Sequence, residues 1–326
     1  MRAQTDKVPA DVAALAGYAC FLGFDVSKDT VAVFDTRTGK GCELPNRPTD
    51  LKRFLATYGQ DSFAVCEPTG GYEAALLAAL LEARIPTHRA NTLHAKGFMR
   101  SLGKLAKTDA IDAWGLARYG QERSGSLALW SAKSADLERI QALVRRRADL
   151  VDMRVAETNR SKAPGAAPVK ASLRQMLRAL DKQIETIEAA IAQAFAASAE
   201  LMRRVEAVDS VPGIGRATAF ALVASMPELG STTTKRIASL AGLAPHPRDS
   251  GTIRGYRRVR GGRAEVRTAL FMPAMAAIRS HSVLAAFYKS LIGRGKKPIV
   301  ALVAVMRKIV VMANARVRDA IAKQQS

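Results

Sequence analysis

A chain of 326 residues with 50 lysines and arginines against 29 aspartates and glutamates carries a formal charge of +21, which points to a polyanionic partner. Its 48% hydrophobic and 24% charged content excludes a disordered chain, and no uninterrupted apolar run reaches the roughly 18 residues of a membrane span. Three cysteines without CxxC spacing (Cys20, Cys42, Cys66) exclude a disulfide framework or zinc site and fit a reducing, cytoplasmic setting, and His88, His94, His246 and His281 read as ordinary surface or core histidines.

Residues 1–17 read as a leader. The apolar stretch Ala13–Phe24 follows Asp6 and Asp11 and runs into a strand pattern, so it is not a secretion signal. Tyr18–Asp25 and Thr30–Asp35 read as β-strands around Ser27-Lys28-Asp29, and Arg37-Thr38-Gly39-Lys40 turns toward a short strand near Cys42–Pro45. A helix at about 50–58 precedes the apolar strand Ser62–Cys66, which ends at Glu67. Gly70-Gly71 opens a helix through Glu82, and a strand around Pro86–Ala90 leads to another helix. The order β-β-β-α-β-α-β-α implies an α/β domain over 18–133, a mixed sheet with helices on its faces.

Leu173, Leu177, Leu180, Ile184, Ile187, Ile191 and Phe195 recur at four-three spacing, the seam of a coiled coil. An earlier stripe, Leu137, Ile140, Val144 and Val151, precedes a break at Ser161–Pro168, so 134–207 reads as an antiparallel helical hairpin. Such a hairpin closes on itself or reaches another protomer. From Val208 to the end the chain is mainly helical. Val211-Pro212-Gly213-Ile214-Gly215 opens a helix to about Ala224, helices follow near 235–242 and 264–279, and a basic loop, Gly293–Pro298, precedes a last helix from about Ile299.

Four carboxylates stand out in so basic a chain. Asp25 and Glu67 close strands in GFDVSKDT and CEPTG, and Asp109 and Asp112, three apart in KTDAIDA, share one side of a helix. Together they could hold one or two Mg²⁺ ions beside a phosphate; singly, each is equally a solvated or capping acid. Gly213 and Gly215 would let backbone N–H groups approach phosphate at a helix N-terminus, unless they only make a tight turn between core helices. Arg254, Arg257, Arg258, Arg260, Arg263 and Arg267 face a single acid, Glu265, and Ser250 sits just before them in Arg248-Asp249-Ser250-Gly251. On residue type alone Asp-Ser-Gly is turn chemistry. Lys107, Arg248, Lys296 and Lys297 complete the set of candidate phosphate contacts. Only Tyr256 interleaves the basic loop, so backbone charge rather than base stacking carries recognition there.

GFDVSKDT, CEPTGGYE and KTDAIDAWGLA resemble the N-terminal domain of the DEDD transposases of insertion-sequence family 110, a domain similar to the Holliday-junction resolvase RuvC. VPGIGRATA, LAGLAPHPRDSGTIRG and LFMPAMAA resemble that family's second domain, and the likeness runs in order from Tyr18 to the end. Phe24 replaces a small aliphatic and Pro68 an alanine, and neither change removes a ligand.

The resemblance implies an RNase H-like fold holding Mg²⁺ through Asp25, Glu67, Asp109 and Asp112. It also implies a helix-hairpin-helix-like element and a nucleophilic Ser250 in a C-terminal domain over 208–326. Implied with these are donor and target DNA, a bridge RNA that pairs with both, a homodimer or homotetramer, a composite site between protomers, and a bacterial, nucleoid-associated location. The alternative is a RuvC-like metal-dependent nuclease that cleaves DNA structures with water.

Overall fold

Short apolar strands, buried along nearly their whole length, set the architecture of the N-terminal half. The structure is a computed structural model that describes residues 17–103, 108–132, 134–247, 251, 255 and 257–323. It divides into two compact units, 1–132 and 133–326. In the first, β1 (Cys20–Val26), β2 (Thr30–Asp35), β3 (Lys40–Pro45), β4 (Ser62–Cys66) and β5 (Thr87–Arg89) form one sheet in the order β3-β2-β1-β4-β5. β1, β2 and β3 make an antiparallel meander, whereas β4 and β5 run parallel to β1. This is the mixed sheet expected from the sequence.

Successive side chains on a strand point to opposite faces. Leu22, Phe24, Val31, Val33, Ala64 and Cys66 pack with Leu51 and Leu55 of α1 (Pro48–Leu55) and Leu76 and Leu80 of α2 (Ala74–Glu82). Phe21, Phe63 and Val65 face the other way, onto Ala95 of α3 (Thr92–Ser101) and Leu116 and Tyr119 of α4 (Asp109–Arg123). The uninterrupted burial of β4 is that of a central parallel strand covered on both faces.

The second unit is helical. α5 (Ala135–Ser161) and α6 (Lys170–Ala196) form the hairpin, and every expected seam position from Leu173 to Phe195 is buried or half-buried. Arg147 bridges to Glu188 at 2.6 Å and Arg154 pairs with Asp181 across it. The base of the hairpin, at Ile140, Ile191 and Phe195, enters the same core as the helices beyond it, and Phe195 stacks on Phe220 with centroids 4.7 Å apart.

Those helices are α7 (Ala199–Asp209), α8 (Arg216–Ser225), α9 (Thr234–Leu240), α10 (Ala264–Arg279), α11 (Val283–Gly293) and α12 (Pro298–Ala322). Between α9 and α10 a two-residue ribbon pairs β6 (Pro245–His246) with β7 (Arg258–Val259). α12 is long and apolar enough to cross a membrane, but its stripe Ala301, Val305, Ile309, Ala313 and Val317 is fully buried in the unit's core. The sequence had missed α7, α11 and the ribbon.

Candidate catalytic site

Strand parity places two of the carboxylates, Asp25 and Glu67, side by side at the end of the sheet. In the parallel β1–β4 pair, Phe24 lies beside Cys66, so the next residues, Asp25 and Glu67, are neighbours on adjacent strands. Both continue the odd-numbered set that faces α3 and α4, and both are half-buried. Gly23 brings α4 onto the same spot. A Cβ there would lie 2.0 Å from the Ala113 carbonyl oxygen and 2.3 Å from the Ala117 nitrogen, so only glycine admits the helix backbone this close to β1. Asp112, in the first turn of α4, is thereby carried to the end of β1.

Electrostatics report the same convergence. Burial, then the charges of Asp25 and Asp112, push the Glu67 carboxyl above its ordinary range, against Lys96 and a hydrogen bond donated by the Thr92 hydroxyl. Thr92 and Lys96, four apart on α3, form the wall opposite the acids. Asp109 is exposed and is not among the charges that act on Glu67. It also has a local reason to be there, with Asp112, since the first turn of α4 offers unpaired N–H groups and the Thr108 hydroxyl caps Ile111 N at 3.2 Å.

Among the described residues, no group of three acidic, histidine or cysteine side chains is placed to hold a metal ion. Carboxylate oxygens are the donor type that a hard divalent cation takes. The charges of Asp25 and Asp112 reach Glu67, and that repulsion is what a bound cation would relieve. Asp25, Glu67 and Asp112 are the residues that would hold it.

One residue that sequence reasoning missed lies inside the string CEPTGGYE. Glu73 is 3% exposed and accepts from Thr69 N at 3.0 Å, Thr69 Oγ1 at 2.9 Å and Gly71 N at 2.9 Å, and it pairs with Arg89 on β5. These backbone and side-chain bonds hold its pKa down at about 2 despite burial. The loop 68–72, which leaves Glu67, is therefore pinned by Glu73 to the neighbouring strand. The signal was the double glycine followed by an acid, which was read only as a helix start.

In the second unit the basic candidates separate into distinct environments. Arg257, Arg258 and Arg260 are exposed on and beside β7, as are Lys296 and Lys297 before α12. Arg263 is already engaged by an acid of its own unit. Its guanidinium makes a fork to Glu228 at 2.7 and 2.6 Å, which raises its own pKa and lowers that of Glu228. Arg267 is likewise engaged, with the Gly261 carbonyl at 2.6 Å.

Gly213 has a packing role instead of the expected phosphate approach. Its φ is +87°, and a Cβ would meet the Pro273 carbonyl oxygen at 2.4 Å, so it seats the loop on α10. Gly215 does face open space at the N-terminus of α8. Lys107, Arg248, Ser250 and Arg254, and residues 1–16 of the expected leader, lie outside the described residues.

Comparison with known proteins gives this arrangement its class. A family model described as "Transposase IS116/IS110/IS902 family" matches residues 205–289, and a second transposase model, of the DEDD type of IS110, matches residues 22–163. The fold and the two matches define a transposase, an enzyme that cleaves and rejoins DNA. The chain is 28% identical over 311 residues to a "Pilin gene-inverting protein" of Moraxella lacunata, covering 92% of this chain and 96% of that one. A protein of the same name from Moraxella bovis is 28% identical over 314 residues, with the same coverage. The "Insertion element IS110 uncharacterized 43.6 kDa protein" of Streptomyces coelicolor is 29% identical over 232 residues, covering 68% of this chain and 54% of that one. The chain belongs to the IS110 family of transposases. Membership implies DNA substrates and dependence on a divalent metal.

Proposed function

We propose that the protein recombines DNA at specific sites through a serine-linked intermediate, with Mg²⁺ as the metal and a bridge RNA as the guide to donor and target. The observation that carries this reading is the meeting of Asp25, Glu67 and Asp112 at one end of the sheet, with Glu67 already destabilised in its charged form. Bound there, Mg²⁺ would neutralise phosphate charge and stabilise the leaving oxygen. Asp109, one turn back on α4, completes the set if the first turn of that helix moves toward the cation.

Ser250 is the proposed nucleophile. Its Oγ, giving up a proton, forms a bond to phosphorus while the bond from phosphorus to the 3′ oxygen breaks, and that oxygen leaves as a 3′-OH. A 3′-OH from another strand then attacks the 5′-phosphoserine and releases the serine. Each cut conserves one phosphodiester bond, so no nucleotide hydrolysis is required. The exposed Arg257, Arg258 and Arg260 suit the extra charge on the five-coordinate phosphorus. The reading needs the carboxylates and Ser250 at one phosphate, within a dimer or tetramer whose protomers share the site, and we assign the helical hairpin to that assembly. The names of the Moraxella relatives describe inversion of a gene, a reaction that also joins what it cuts.

Suicide DNA carrying the element's ends, incubated with Mg²⁺, tests it. A covalent adduct mapped to Ser250, lost in Ser250→Ala and in Asp25→Ala, is the expected result. Cleavage that survives Ser250→Ala and leaves free ends would instead assign hydrolysis by water. Copurification of a discrete RNA tests the guide separately.

A further inference from the structure

The first unit has a second concave feature, on the flank of α3 turned away from the carboxylates. Thr92 and Lys96 face Glu67, whereas His94, Phe98 and Ser101 follow at i, i+4 and i+7 around the helix and line two adjoining cavities of about 380 and 360 Å³. The cavities share His94, Tyr119 and Arg123, so they form one groove between β5, α3 and α4. Among the described residues no acid lines it. Its charged members are Arg89 and Arg123, beside His88 and His94, and Arg89 already answers Glu73.

The groove is also lined by aromatic rings. Tyr119 is 7% exposed and packs edge-on against Phe98 at 5.3 Å between centroids, with the His88 ring beside it at 6.1 Å. His88 Nδ1 lies 2.7 Å from the Ala128 carbonyl oxygen, which can only accept, so Nδ1 carries the proton. Burial, and to a smaller degree the nearby His94, lowers the pKa of His88 against the Ala128 hydrogen bond, which favours the neutral ring with Nε2 as an acceptor. Cationic rim, aromatic lining and one fixed acceptor are the three elements that a nucleotide needs: phosphate, base face and base edge.

We propose that this groove holds one nucleotide of a single-stranded nucleic-acid segment, its phosphate on Arg123 and His94 and its base against Tyr119 and His88. The strand would lie about one helix diameter, ~10 Å, from the carboxylates, with α3 as the partition. The proposal rests on nucleic acid being handled by this chain, but on neither the metal nor Ser250.

Photocrosslinking the full chain to short single-stranded DNA and RNA of one sequence, each bearing a 5-iodopyrimidine, tests it. Adducts are expected in residues 87–101 or 116–128, and the polymer with the greater yield there is the natural occupant. Arg123→Ala and His94→Ala should each lower those adducts by roughly tenfold, the loss of one phosphate contact, while adducts elsewhere on the chain persist. Arg123→Lys, which keeps the charge, should restore most of the yield, a result that loss of fold would not give. Asp25→Ala should leave the groove adducts intact even where it abolishes recombination, which separates this proposal from the metal reading. Adducts confined to other segments, or indifferent to both alanine variants, would overturn it.

Discussion

The two ends of the loop between β4 and α2 carry glutamates in opposite electrostatic states. Glu67 has like charges around it and a carboxyl pushed up, while Glu73, six residues on, has backbone donors and Arg89 around it and a carboxyl held at about 2. Both are shielded from water, so burial does not distinguish them. What differs is how far the fold itself offsets the charge. Glu73 is satisfied from within and fixes the loop; at Glu67, Lys96 and Thr92 offset burial and the neighbouring acids only in part.

Removing each charge should break this comparison cleanly. Glu67→Gln is expected to lower DNA strand exchange by at least about 10³-fold, the scale of a lost metal clamp, while raising or preserving thermal stability because a repulsive charge is gone. Glu73→Gln should do the reverse, costing about 2–3 kcal/mol in urea unfolding because Arg89 and the loop donors lose their carboxylate partner. If Glu73→Gln abolished exchange with no loss of stability, the distinction between a ligand and a pin would fail.

Acidity sharpens the same contrast. Glu73 has a depressed folded pKa, so its stabilisation is complete above the ordinary carboxyl value and is lost as pH falls through that value toward about 2. Glu67 has a raised one, so its protonation stabilises the metal-free fold below the ordinary value and that gain vanishes as pH rises through its folded pKa. In metal-free melts at mildly acidic pH, Glu67→Gln should flatten the profile and Glu73→Gln should remove the steep fall at its acid end. The smallest effect is expected at Arg263, whose fork to Glu228 is about one-third exposed on each side. Arg263→Lys should cost about 1 kcal/mol, since an ammonium cannot hold both carboxylate oxygens.

The sheet was legible because CFLGFDV, TVAVFD and SFAVC are short, nearly continuous apolar runs bounded by turn residues, and the hairpin because its seven seam positions keep their spacing over 23 residues. The ribbon was not, because two-residue strands carry no period, and α11 was not, because VLAAFYKSLIG is apolar nearly all round. Of the acids, Asp25 and Glu67 could be paired from strand ends, but the place of Asp112 depends on a contact between Gly23 and Ala113, 90 residues apart. The roles of Glu73, Arg263 and Gly213 are likewise fixed by partners distant in the fold. Residue type shows what each could bind, while the partner decides what remains free.

That contact between Gly23 and α4 has a consequence for how the molecule tolerates change. Side chains between a helix and a sheet act as compressible spacers, and exchanging one for another shifts the layers by fractions of an ångström. Here main chain meets main chain, and a hard stop of that kind does not wear. The distance from the first strand to the helix that bears Asp112 is thus insulated from turnover in the surrounding core, and a variant at residue 23 itself would jam the register of the whole acidic cluster.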